Sequence, residues 1–131
     1  VIGVDLKKDP AVLERAYDDP AGVTAAFDKN LLQRINRELG GTFDLSLFRH
    51  EARYDAARGR VEMHLVALRD QAVTVAGRTF AFAAGESIHT ENSYKYAVEE
   101  FHALAGRAGW TAHRTYRDAN ARFSLHLMRA G

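Results

Sequence analysis

A chain of 131 residues with 18 basic and 17 acidic side chains is long enough for one ordinary core and carries almost no net charge. That balance, with no concentrated basic face, argues against nucleic acid or a membrane surface as partner, and no apolar run reaches the ~20 residues of a bilayer span. The absence of cysteine excludes a disulfide framework, a thiolate zinc site and a cysteine nucleophile, and fits a cytoplasmic protein.

The first element is VIGVD, Val1–Asp5, a continuous apolar run closed by an acid. This is the pattern of a parallel-sheet strand covered on both faces. Its parallel neighbours are not evident in the rest of the chain, so the expectation is the C-terminal part of a longer protein. Pro10–Asp18 predicts a short helix with proline in its first turn. Asp19-Pro20 repeats the start signal, with Asp19 as N-cap. Val23, Phe27, Leu31, Ile35 and Leu39 then recur every four residues, widened by Ala26 and Leu32, as the apolar stripe of a longer helix. Gly40 and Gly41 stop it.

From Phe48 to Ser93 the period drops to two. FRHEARY, RVEMHLVAL, AVTVAG, TFAFAAG and SIHTENS predict a meander of antiparallel strands divided by turn residues. Val61, Met63 and Leu65 share one face of the second strand; Glu62, His64 and Val66 share the other. Ala97–Ala108 is helical again, with Val98, Phe101, Leu104 and Ala105 on one face and Gly109 as its stop. Trp110–Tyr116 and Arg122–Met128 predict a hairpin. The fold class is therefore α/β, seen in this chain as α+β: an antiparallel module inserted between parts of an α/β sheet.

The stretch IHTENSYKY, Ile88–Tyr96, is crowded with hydrogen-bonding groups. In an unbroken strand His89, Glu91 and Ser93 share a face. A carboxylate and a hydroxyl so spaced can hold the two nitrogens of an imidazole; equally, both can be local caps at a solvated strand end. Glu62, His64, His89 and Glu91 offer ligand types that suit zinc or iron. Two-residue spacings of these types are common, and no metal is assigned. Tyr17, between two helices, is a hydrophobic staple or a phenol donor to a ligand carboxylate. Met63 is core before it is pocket lining. His50, His102, His113 and His126 are placed on the surface or hairpin without a role. No Ser-His-Asp set, P-loop or dinucleotide fingerprint is present, so no catalytic residue is assigned and cofactor-binding residues are unknown.

Taken in order, IGVDLKKDP, AYDDPAGVTAAFDKNLLQRINRELG, FRHEARYD, RVEMHL and FAAGESIHTENSYKY resemble the C-terminal half of the histidine-specific SAM-dependent methyltransferases, which form hercynine in ergothioneine biosynthesis. The resemblance runs from Ile2 to Met128. It implies a Rossmann-like methyltransferase sheet with an inserted substrate-binding module: residues 1–5 a strand of the sheet, 6–95 the module, and 96–131 the returning helix and hairpin. It also implies substrate roles, with Glu91 and Ser93 on the imidazole, Met63 beside it and Tyr17 on the carboxylate. The reaction implied is methyl transfer from the SAM sulfonium to a neutral α-amine, which depends on proximity and orientation.

Two departures stand out. Asp28 occupies a position where such enzymes carry Asn, which leaves its role open. The glycine-rich SAM loop, its acidic ribose partner and the residues that hold the amine are not in this chain. The expectation is thus a portion inactive alone, with SAM held mainly by a missing N-terminal half. The alternative is a truncated, non-catalytic small-ligand binding or dimerisation module of the same fold, dimerisation being expected through its sheet edges. Histidine as against another amino acid, and the oligomeric state, stay open.

Overall fold

Three helices and eight strands follow one another in the expected order in the computed structural model, which describes residues 1–131. β1 is Ile2–Asp5, α1 Pro10–Tyr17 and α2 Val23–Leu39. A 3-10 turn, Leu45–Leu47, leads into β2 (Phe48–Asp55), β3 (Arg60–Ala67), β4 (Gln71–Val75), β5 (Arg78–Phe82) and β6 (Ser87–Tyr94). α3 (Val98–Arg107) and the hairpin β7 (Trp110–Arg117) and β8 (Phe123–Ala130) close the chain. No helix is long and apolar enough to cross a membrane.

The meander divides in two. β2, β3 and β6 form one antiparallel sheet in that order, while β4 and β5 pair only with each other. β3 is central because its run from Val61 to Ala67 is almost wholly buried and needs a strand on each side. α1 and α2 cover one face of this sheet, and Leu13 and Leu32 are buried beneath them. Leu32, Phe48, Leu65 and Ala67 form a core cluster. The Phe43 and Phe82 rings meet Phe48 edge-on, at centroid separations of 5.7 and 5.6 Å. Each fully buried aliphatic or aromatic side chain contributes roughly 2 kcal/mol through water exclusion.

The second sheet corrects the expectation for β1. It pairs with one strand only, β8, and antiparallel, from Ile2 opposite His126 to Asp5 opposite Phe123. Val4 is buried but Ile2 remains 45% exposed. The apolar run is genuine; what it lacks in this chain is a neighbour on its free edge. β7 flanks β8 on the other side, so the order is β1-β8-β7. Since both are antiparallel to β8, β1 and β7 run parallel to each other. A single parallel bridge, Leu6 to Tyr96, ties the end of β1 to the end of β6.

α2 departs from its predicted start and its predicted face. It begins at Val23, after Gly22 in the left-handed region (φ 71°). Asp19 still serves it: its carboxylate accepts from the backbone N–H groups of Val23 (3.1 Å) and Thr24 (2.8 Å). At the far end Gly40, also left-handed, donates its N–H to the Ile35 carbonyl, the usual glycine stop. The buried residues are Asp28 and Leu32, whereas Val23 and Phe27 of the expected stripe are 68% and 67% exposed. The helix is rotated so that Asp28 meets a buried histidine; Leu32 and Ile35 pack on the core, while Val23, Phe27, Leu31 and Leu39 of the stripe are left outside.

Candidate functional site

The site forms where β6 ends, under the C-terminus of α1. Its geometry starts from a β-bulge. His89 lies opposite His64 and Glu91 opposite Met63, so Thr90 is an extra residue in β6. An inserted residue reverses the alternation beyond it. His89 therefore shares a face with His64, against which its ring stacks at 4.6 Å. Glu91 and Ser93 turn to the other face, with Met63 and Val61 as their cross-strand partners. The expectation that His89, Glu91 and Ser93 lie together is thus corrected for His89 and holds for the pair.

Tyr17, the last residue of α1, reaches this face. Its hydroxyl lies 2.8 Å from Ser93 Oγ, across 76 positions of sequence. Lys95 Nζ donates to both, at 2.6 Å to the Tyr17 hydroxyl and 2.9 Å to Ser93 Oγ, and lies 2.9 Å from Asp5 Oδ2. Asp5 also accepts from Lys8. Burial pushes the Asp5 carboxyl upward, but the hydrogen bonds from Lys8 and Lys95 outweigh it and hold the group below its ordinary value. Met63 is buried, as a core residue would be, yet sits opposite Glu91.

Glu91 is exposed and lines a cleft of about 230 Å³ between β6 and α2. The opposite wall is the outward stripe of α2, with Phe27, Leu31 and Arg34. Asp28 also borders this cleft, and its position explains the buried histidine that sequence reasoning put on the surface. His50 Nδ1 lies 2.8 Å from Asp28 Oδ2, and Nε2 donates to the Tyr17 carbonyl at 2.7 Å. The carbonyl only accepts, so Nε2 carries one proton while Nδ1 and Asp28 share another. This pair fixes the backbone of Tyr17 and hence where its hydroxyl falls.

His126, also placed on the surface from sequence, is fully buried. Its Nε2 lies 2.8 Å from Ser124 Oγ and its Nδ1 3.0 Å from His102 Nε2, linking β8 to α3 far from the cleft. Burial, and then the neighbouring His102, push its pKa down.

The four-residue metal set does not assemble, because the bulge turns Glu91 away from the others. Glu62, His64 and His89 do gather, with ligand atoms within 4.8 Å of one another. The two rings stack within 21° of parallel, so their in-plane lone pairs do not converge. Arg60 holds Glu62 Oε1 at 2.6 Å.

Lys95, His50 and Asp5 were missed as site residues. For Lys95 a signal existed, since Glu91, Ser93 and Lys95 continue one period of two.

Known proteins bear on this arrangement. The family described as histidine-specific methyltransferase, SAM-dependent, matches residues 1–130. The chain is 43% identical over 129 residues to a histidine N-alpha-methyltransferase of Mycolicibacterium smegmatis, covering 97% of this chain and 40% of that protein. It is 44% identical, with the same coverage, to a histidine N-alpha-methyltransferase of Mycobacterium tuberculosis. To ergothioneine biosynthesis protein 1 of Neurospora crassa it is 33% identical over 131 residues, 14% of that protein's length. The chain thus spans 40% or less of the length of these relatives.

Proposed function

We propose, from the premise that this chain belongs to the family of histidine-specific, SAM-dependent methyltransferases, that it is the substrate-binding and C-terminal portion of a histidine Nα-methyltransferase. One observation carries the reading. The Tyr17 hydroxyl and Ser93 Oγ, 76 residues apart, meet at 2.8 Å on the face from which Glu91 enters the α2 cleft. The hydroxyl expected to meet the substrate ring is thereby held in place by a side chain from a distant helix. In this reading Glu91 accepts from the ring N–H, Ser93 engages the second ring nitrogen and Met63 packs near the ring, while Tyr17, whose hydroxyl is taken up by Ser93 and Lys95, orients Ser93 instead of donating to the carboxylate as the resemblance implies.

The methyl donor supplies the electrophilic methyl group, and its cradle is not made by these residues. Gly3, the glycine within β1, is a packing glycine: a Cβ there would come 2.6 Å from the Phe123 ring. Asp5, the acid at the end of that strand, is already held by Lys8 and Lys95. No step of the transfer is therefore assigned to this chain. Its contribution is to hold the far end of the substrate so that the amine is presented in one orientation, which in such reactions is a large part of catalysis. The relatives' additional length leaves room for a SAM-binding half, against whose sheet the free edge of β1 would pair. That arrangement would make β1, β7, β8 and α3 the margin of a Rossmann-like sheet.

Isothermal titration of histidine into the full-length protein tests the reading. Glu91→Ala should weaken binding at least tenfold, the loss of a charged hydrogen bond to the ligand. Equal binding by wild type and variant would remove Glu91 from the site.

A further inference from the structure

Lysine is rarely buried, yet Lys95 is only 2% exposed. Its ammonium group has three N–H donors, and three oxygens surround it: the Tyr17 hydroxyl, Ser93 Oγ and Asp5 Oδ2. Every donor is spent on the protein. The Tyr17 and Ser93 hydroxyls also lie 2.8 Å apart, so one donates to the other. A phenol, with a pKa of ~10, is more acidic than an alkyl hydroxyl and the poorer acceptor, so the proton runs from Tyr17 to Ser93. Ser93 Oγ then accepts twice, from Lys95 and from Tyr17, and both its lone pairs are taken. All it can offer a third partner is its own O–H.

We propose that Lys95, by saturating Ser93 as an acceptor, makes that hydroxyl an obligate donor and restricts the site to a neutral azole ring. The ring's single N–H goes to the Glu91 carboxylate, and its bare nitrogen accepts from Ser93. An imidazolium has no bare nitrogen and would bring an N–H against the serine proton. This deepens, and rests on, the reading of Glu91 and Ser93 as the ring's two partners. Lys95 is a positioning residue here, acting through Ser93. The other charged groups around the site are Asp5 and Lys8 at the end of β1, Asp28 and Arg34 on α2, and His50 on β2. These groups belong to the protein whichever ligand is bound, so the test separates their protonation from that of the ligand ring.

Histidine and triazolylalanine, whose ring stays neutral throughout, are titrated calorimetrically into the full-length protein between about pH 5.5 and 8, a range spanning the imidazole pKa of ~6.5. Histidine affinity should fall about tenfold per pH unit below that pKa, while triazolylalanine affinity stays level. Lys95→Met, which keeps the chain length and removes the donors, should flatten the histidine profile by returning a lone pair to Ser93. Histidine binding that is level or stronger at acid pH overturns the proposal. So does a matching fall for triazolylalanine, which would put the titration on the protein and not on the ligand, or an unchanged profile in Lys95→Met. Should Lys95→Met not fold, the two wild-type profiles decide alone. If Glu91→Ala binds histidine as wild type does, the ring assignment itself has failed, and this inference goes with it.

Discussion

The β2-β3-β6 and β1-β8-β7 sheets are built alike, each with three antiparallel strands and helical cover on one face, yet they dispose of apolar side chains in opposite ways. In the first, Val61, Leu65 and Phe48 are buried with Leu13 and Leu32 of the covering helices. In the second, the side under α3 buries Ser124 and His126 alongside a few apolar residues such as Val4 and Phe101, while Phe123, Leu125 and Leu127 on the other side are exposed. Beside α3 an open cleft of about 370 Å³ is lined only by apolar residues, among them Ile2, Phe101, Trp110 and Met128. Exposed apolar surface of this extent marks an interaction face. The first sheet is a finished unit. The second has the chemistry of one layer in a larger stack, in keeping with the longer protein proposed above.

The largest effect expected from this contrast is in the finished unit. Phe48→Ala should cost about 4 kcal/mol in urea denaturation, the usual range for emptying an aromatic core site. Leu127→Ser on the bare face should stay within about 0.5 kcal/mol and improve solubility. Comparable losses in the two variants would break the comparison, because the bare face would then be a core. Next comes the polar link inside the finished unit. Asp28→Ala strands His50 in a buried setting and should cost about 3 kcal/mol. It should also weaken histidine binding through Tyr17, whose carbonyl His50 holds.

A smaller effect belongs to the second sheet. His126 has a depressed pKa in the folded state, so the unfolded chain takes up its proton first as pH falls. Its contribution is complete above ~6.5, the unfolded value, and is lost as pH drops below it. His126→Asn should remove that part of the slope of melting temperature against pH. An unchanged slope would mean that the buried polar face of β8 is indifferent to protonation. The smallest effect is at the entry of α2. The hydrogen bonds from Thr24 and then Val23 hold the Asp19 carboxyl at about 2. Its stabilisation of the helix start is therefore present above the ordinary carboxylate range and lost as pH falls toward 2. Asp19→Ala should lower the melting temperature at neutral pH and converge on wild type in acid.

Much of this architecture was readable from local pattern. The element order followed from periods of two and four, and from stops such as Gly40 that need a left-handed backbone. The pairing of β6 with β3, past the β4–β5 hairpin, was not, because strand pairing is a long-range outcome that local alternation leaves open. The face of α2 was misread for a related reason. Periodicity identifies an apolar stripe but cannot say whether its covering layer lies in the same chain, and here a buried Asp28–His50 pair claimed the inner side. Glu91 and Ser93 were legible as a pair two apart. Lys95 was not singled out, because a lysine at a strand end reads as solvated until its three oxygen partners are in place.

The extra residue at Thr90 acts as a counter of odd and even. Which side chains of β6 share the face of Met63 and Val61 depends on how many residues stand between His89 and Tyr94. Chemistry and address are thereby separable in this strand. Positions 91 and 93 can be rewritten for a different ring while staying on that face. Inserting one residue between His89 and Glu91 would exchange the whole set, bringing Asn92 and Tyr94 inward without mutating either.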